Sequence, residues 1–124
     1  MATMTFDQLL VRYPDEVRAL AASARKFIRG FVPRADETVD ESAGVVGFGR
    51  GSGYKGMLCT LILSKSGVKL GLAHGTSLPD PDGLLEGSGK VHRYVQLRAA
   101  SDLRKPGLAR LLKAARAAWQ ERVG

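Results

Sequence analysis

The chain has a single cysteine, Cys59, among 124 residues. An internal disulfide is therefore impossible, and no cysteine-based metal knuckle can be assembled. No apolar run approaches the roughly 20 residues that a membrane-spanning helix needs. The opening MATMTFDQLLVRYPDE has neither the basic start, the apolar middle nor the small-residue cleavage site of a secretory signal. These absences together lead to the expectation of a cytoplasmic protein with no membrane partner. Aromatic residues amount to 6%, which leaves little surface for stacking nucleic-acid bases. No internal repeat and no compositionally extreme linker interrupts the chain. Apolar residues at 44% and charged residues at 25% lie in the globular norm, far from disorder. The length fits one domain over residues 1–124 with one ordinary core.

The net charge of +7 is unevenly placed. Residues 1–89 carry 10 basic and 10 acidic side chains, whereas residues 90–124 carry nine basic ones against Asp102 and Glu121. A localised basic surface attracts nucleic acid, an acidic protein or anionic ligands. The same charges equally describe a solvated helix face that keeps a protein in solution.

Thr5-Phe6-Asp7-Gln8 fits a capping box, and apolar residues then recur with helical phase from Phe6 to Ile28. Pro14 interrupts that run. The pattern predicts a short helix over 5–12 and a second from Pro14 to Arg29, with Pro14 in its first position and Gly30 as its stop. Asp36 to Ser42 reads as a weak edge strand. Residues 33–55 are poor in apolar side chains, and the stretch GVVGFGRGSG reads as a mobile loop or an extended segment that something approaches closely. Met57–Ser64 and Val68–His74 form a predicted hairpin about the turn Lys65-Ser66-Gly67. Val68, Leu70, Leu72 and His74 would share one face. Residues 75–90 read as a loop with one helical turn, and Val91–Arg98 as a further strand. Pro106–Val123 is the clearest helix: Leu108, Leu111, Leu112, Ala115 and Trp119 make one apolar stripe, opposite Arg110, Lys113 and Arg116. The order of elements predicts an α+β fold, an antiparallel sheet with N-terminal and C-terminal helices packed on one face.

Several segments resemble chemical motifs. Gly87-Ser88-Gly89-Lys90 lacks the flanking residues of a phosphate-binding loop, since Leu84 and Val91 stand where glycine and a hydroxyl residue are required. The series Gly47, Gly49, Gly51, Gly53 likewise misses the dinucleotide fingerprint. His74 and His92 sit near strand ends and become neighbours if their strands pair; with a carboxylate they would suit a divalent metal. Cys59 lies inside an apolar strand, the setting of a small buried hydrophobe. Asp36, Glu37, Asp40 and Glu41 form one acidic cluster, which on a helix would share a face and suit a hard cation. On a strand it would split between two faces. Asp80, Asp82 and Glu86 form a second acidic group near Lys90 and Arg93. In that loop Pro79 and Pro81 supply stiffness, Gly87 and Gly89 permissive backbone, and Leu84 and Leu85 an anchor to the core. Glu86, Lys90 and Arg93 would then form an ion-paired rim.

The run VKLGLAHGTSLPDPDGLLEGSGKVHRYVQLR resembles the YdhG-like family of bacterial domains of unknown function. Members carry a strand ending in glycine, then LPDP, then LLEG-x-GK, then a basic strand. The upstream GFGRGSGYKGMLCTLILSKSG is similar to the family's glycine-rich segment and hairpin. Where members commonly show an Arg-His pair, this chain has Arg93-Tyr94, with histidine at position 92. One branch of the family is regarded as frataxin-like, an iron chaperone for iron–sulfur cluster assembly. The resemblance thus implies a non-enzymatic binding or chaperone-like protein, with iron as its cargo. The expected ligand-binding residues are Asp80, Glu86, Lys90, His92, Arg93 and His74; the expected metal-binding residues are Asp36, Glu37, Asp40 and Glu41. The alternative is a binder of nucleic acid or of an acidic partner through the basic C-terminal third. An exposed strand edge allows a monomer or a dimer.

Overall fold

In a computed structural model that describes residues 4–51 and 54–123, the chain forms three α-helices and five strands. They are α1 (Phe6–Leu10), α2 (Asp15–Phe31), β1 (Asp36–Asp40), β2 (Val45–Gly49), β3 (Met57–Ser64), β4 (Gly67–Leu72), β5 (Arg93–Leu97) and α3 (Pro106–Val123). Single 3₁₀ turns lie at Tyr54–Gly56, Gly75–Ser77 and Ala100–Arg104. The strands make one antiparallel sheet in sequence order, β1-β2-β3-β4-β5. The expected α+β architecture is what the chain adopts. No helix among the described residues is long and apolar enough to cross a membrane.

The helical ends follow local chemistry. Thr5 Oγ1 accepts the Gln8 amide at 3.2 Å while Gln8 Oε1 accepts the Thr5 amide at 2.8 Å, so two orphan donors at the start of α1 are satisfied reciprocally. Pro14 takes the cap position just before α2 rather than its first turn. Gly30 does not stop α2, which runs on to Phe31. Glycine costs about 1 kcal/mol relative to alanine inside a helix, and the packing of neighbouring Ile28 and Phe31 against the core offsets that.

Alternation in β3 from Cys59 to Ser64 sets the layers. Cys59, Leu61 and Leu63 are buried, while Thr60 and Ile62 between them are only half-covered. Pairing carries the buried set across the sheet: Val46 opposite Leu61, Leu61 opposite Leu70, and Leu70 opposite Val95. This face meets α2, through Val17, Leu20, Ala21, Ala24 and Ile28, and α3, through Leu108, Leu111, Leu112, Ala115 and Trp119. Trp119 also donates its indole N–H to the Gly56 carbonyl at 2.8 Å. The other face of the sheet carries no α-helix among the described residues.

One open alternative is decided and two expectations need correction. Of the two readings of the glycine-rich stretch, the closely approached extended segment holds over Val45–Gly49, which form strand β2. Its glycines lower strand propensity, yet packing calls for one at Gly49, where a side chain would run into the Gly56 carbonyl. Gly53 of that series lies outside the described residues. His74 does not continue β4; it adopts a left-handed conformation, φ 57°, and opens a 3₁₀ turn. Val91 and His92 precede β5, and Val91 is 45% exposed instead of sharing a face with Val95 and Leu97.

Two outcomes are expected. Asp102 Oδ2 accepts the amides of Arg98 (2.8 Å) and Ala99 (3.2 Å). The Arg98 amide foremost, and then Lys105, hold its carboxyl below the usual carboxylate range. Its charge therefore stabilises the fold fully above pH of about 4 and ceases to do so as pH falls through the depressed native value. Asp102→Asn should be less stable than the parent by about 1 kcal/mol at pH 7, and their thermal denaturation curves should converge in strong acid. Cys59 is completely buried, and loss of solvent pushes its thiol pKa upward. Iodoacetamide should leave the native protein unlabelled at pH 8 and modify it only as denaturant unfolds it; rapid native labelling would contradict this burial.

Candidate ligand-binding cleft

The uncovered face of the sheet is not flat. One cross-strand row reads Thr38, Gly47, Thr60, Gly71, Tyr94 from edge to edge. Met57 fills the space above Gly47. The Thr60 hydroxyl leans over Gly71 where a Cβ would stand, and with no side chain of its own Gly71 lines a depression in the sheet surface. Met57, Ile62 and Tyr94 stand around it.

The chain between β4 and β5 converts the depression into a cleft. It leaves through the turn at Gly75–Ser77, and Thr76 ties that turn to the returning segment through the carbonyls of Lys90 and Val91, each at 3.1 Å. The LPDP segment is closed by Asp80, whose two oxygens accept the amides of Leu84 (2.8 Å) and Leu85 (2.9 Å). Leu84 and Leu85 then pack against the core. Asp82 pairs with Arg110 of α3 at 2.9 Å. Glu86 exchanges backbone hydrogen bonds with Tyr94 at 2.7 and 3.1 Å, which covers the outer edge of β5. The chain next turns over the Tyr94 ring at Gly87, where φ is +110° and a Cβ would stand 3.1 Å from the ring. Arg93 fixes this loop, donating from Nε to the Gly89 carbonyl at 2.8 Å and from Nη1 to the Gly87 carbonyl at 2.9 Å.

The resulting cleft has a volume of about 350 Å³, within the roughly 300–1,000 Å³ of small-molecule sites. Its floor is apolar; its mouth holds His74, His92 and Arg93. The two imidazoles lie with centroids 5.6 Å apart, nearly perpendicular. His92 Nδ1 accepts the backbone amide of His74 at 3.0 Å, so its neutral form carries the proton on Nε2. Desolvation, then the positive charge of Arg122, lowers the pKa of His74. Lys69 sits over the Tyr94 ring, 4.6 Å from its centroid.

Of the residues expected to bind a ligand, the structure brings His74, His92 and Arg93 together at the cleft. Asp80 is not with them: its carboxylate is spent inside the LPDP turn. Glu86 and Lys90 are exposed beside the loop, and no ion pair joins them to Arg93, whose donors go to loop carbonyls instead. The acidic cluster is likewise dispersed. Asp36 and Glu37 point to opposite sides of β1 and Glu41 lies beyond its end. Asp36 accepts the Gly51 amide, Asp40 caps the turn at Ser42 and Ala43, and Glu41 pairs with Arg12. Glu37, with its side chain only 15% exposed, takes Arg25 at 2.6 Å and Arg29 at 3.6 Å. No group of three or more His, Cys, Asp or Glu residues converges among those described. The basic stripe of α3 is also partly spent, since Arg110 holds Asp82 and Arg116 donates to the Phe31 carbonyl at 3.1 Å. Sequence reasoning missed Met57, Thr60, Ile62, Gly71 and Tyr94 as cleft residues; the signal was the small residue Gly71 in an otherwise bulky strand.

Comparison of the chain with protein-family models, with curated proteins and with solved structures finds no match.

Asp80→Ala leaves the Leu84 and Leu85 amides without their acceptor. It should cost about 1–3 kcal/mol of stability, read as a lowered denaturation midpoint, whereas removal of the exposed Asp82–Arg110 pair should cost under about 1 kcal/mol.

Proposed function

We propose that this protein is a non-enzymatic binding domain that takes a small organic ligand in the cleft between the open sheet face and the Gly87–Gly89 loop. The observation that carries the reading is the depression at Gly71, roofed by a loop that Arg93 holds in place. An apolar floor beside a few convergent polar groups is the usual make-up of a ligand site. The groups present suit recognition rather than bond-making: the thiol of Cys59 is buried and held protonated, and His92 Nδ1 is committed to a backbone amide. The family resemblance supports a binding or chaperone-like role of this kind. Its frataxin-like extension to iron draws no support from Asp36, Glu37, Asp40 and Glu41, which face different ways and hold separate partners.

A fragment titration followed by amide NMR tests the reading, with 2-naphthol, 2-naphthamide and 2-naphthoate as probes. Shifts should concentrate at Thr60, Ile62, Gly71, Tyr94 and residues 87–89. Thr60→Phe, which fills the depression from the side away from the core, should abolish them while the fold persists. Shifts centred on other surfaces, or none at millimolar ligand, would overturn the proposal.

A further inference from the structure

The chemistry of the cleft specifies its occupant more narrowly than size alone. None of the residues lining it is acidic, and the only permanently charged one is Arg93. Arg12, Arg18, Arg25, Arg29, Lys105 and Arg110 pair with carboxylates, whereas Arg93 has none beside it among the described residues. Arg93 uses Nε and one Nη1 hydrogen on the loop carbonyls, and its Nη2 donates to nothing among the described residues. A guanidinium with a free donor and no carboxylate partner attracts an anion.

The floor adds a shape requirement. Gly71 removes one side chain from the sheet surface, the Met57 thioether borders the depression, and the Tyr94 ring stands at its edge with Lys69 over it. A thioether and an aromatic ring pack well against a flat ring system. Beyond the lining, the charge of Arg122 reaches His74 from the end of α3 and reinforces the same sign of potential.

We infer that the cleft selects a planar aromatic monoanion, its ring on the floor around Gly71 and its carboxylate at Arg93. This rests on the binding reading above and adds the charge and shape of the ligand.

The test compares 2-naphthoate with its neutral near-isostere 2-naphthamide on the intact protein, by NMR titration at low salt and at roughly 0.5 M salt. The carboxylate should bind at least about tenfold more tightly at low salt, a preference of about 1.4 kcal/mol, and the gap should narrow at high salt. Arg93→Gln should remove the preference. Since Arg93 also holds the loop, Arg122→Gln provides the second variant: it is exposed, makes no cleft contact, and should shrink the preference about two- to threefold while leaving the amide's affinity unchanged. Equal binding of the two probes at the cleft, or equal loss of both in both variants, overturns the charge selectivity and leaves the cleft as a ligand site. Failure of both probes to bind removes the ligand site itself and the selectivity with it.

Discussion

An antiparallel sheet whose helices all lie on one side must separate two environments with a backbone one residue thick. From Cys59 to Leu63 every second residue of β3 enters the core, and a shift of one position would send Leu61 to water and Thr60 into the helices. That constraint organises the molecule. It determines where α2 and α3 settle, since their stripes of Leu20, Ala24 and Ile28, and of Leu108, Leu112 and Ala115, need the face that Leu61, Leu70 and Val95 present. It also leaves a second face with no element of its own to cover it. The half-buried Thr60, Ile62 and Tyr94 found there belong to a surface that is neither core nor ordinary polar exterior.

The long excursion between β4 and β5 is how the chain manages part of that surface. Its wiring is almost wholly local: Asp80 closes one turn on backbone amides, Thr76 ties departure to return, and Arg93 gathers two carbonyls. A loop built from such links is defined without being packed solid, and space remains beneath it. The charged residues of its LPDP-LLEG motif thus divide their labour. Asp80 and Asp82 hold the loop to itself and to α3, whereas Arg93 serves the loop and the cleft together.

Much of the architecture was legible because it depends on short-range pattern. The capping box at Thr5 and Gln8, the stripe from Leu108 to Trp119 and the hairpin around Lys65 to Gly67 each state their geometry within one or two turns of chain. Strand β2 was legible only as one of two alternatives, because Gly47 and Gly49 weaken the local preference for extended structure. Only contact with Gly56, a residue of another segment, explains the presence of Gly49. His74 was misplaced for a similar reason: alternation along VKLGLAH continues smoothly, while the chain itself turns away at a left-handed residue that the Thr76 ties and the His92 contact stabilise.

The acidic run at residues 36–41 shows the same limit from the opposite direction, since its density suggested a shared role that the pleat of β1 and four separate partners dissolved. The sequence by itself determined the elements with repeating patterns, the class of fold they can build, and the single buried cysteine, because periodic burial and local capping are encoded residue by residue. Only the tertiary structure decided which polar groups meet. The approach of Arg93 to the carbonyls of Gly87 and Gly89, the pairing of His74 with His92 and the depression at Gly71 all depend on how distant segments register across the sheet, and no local preference specifies that register.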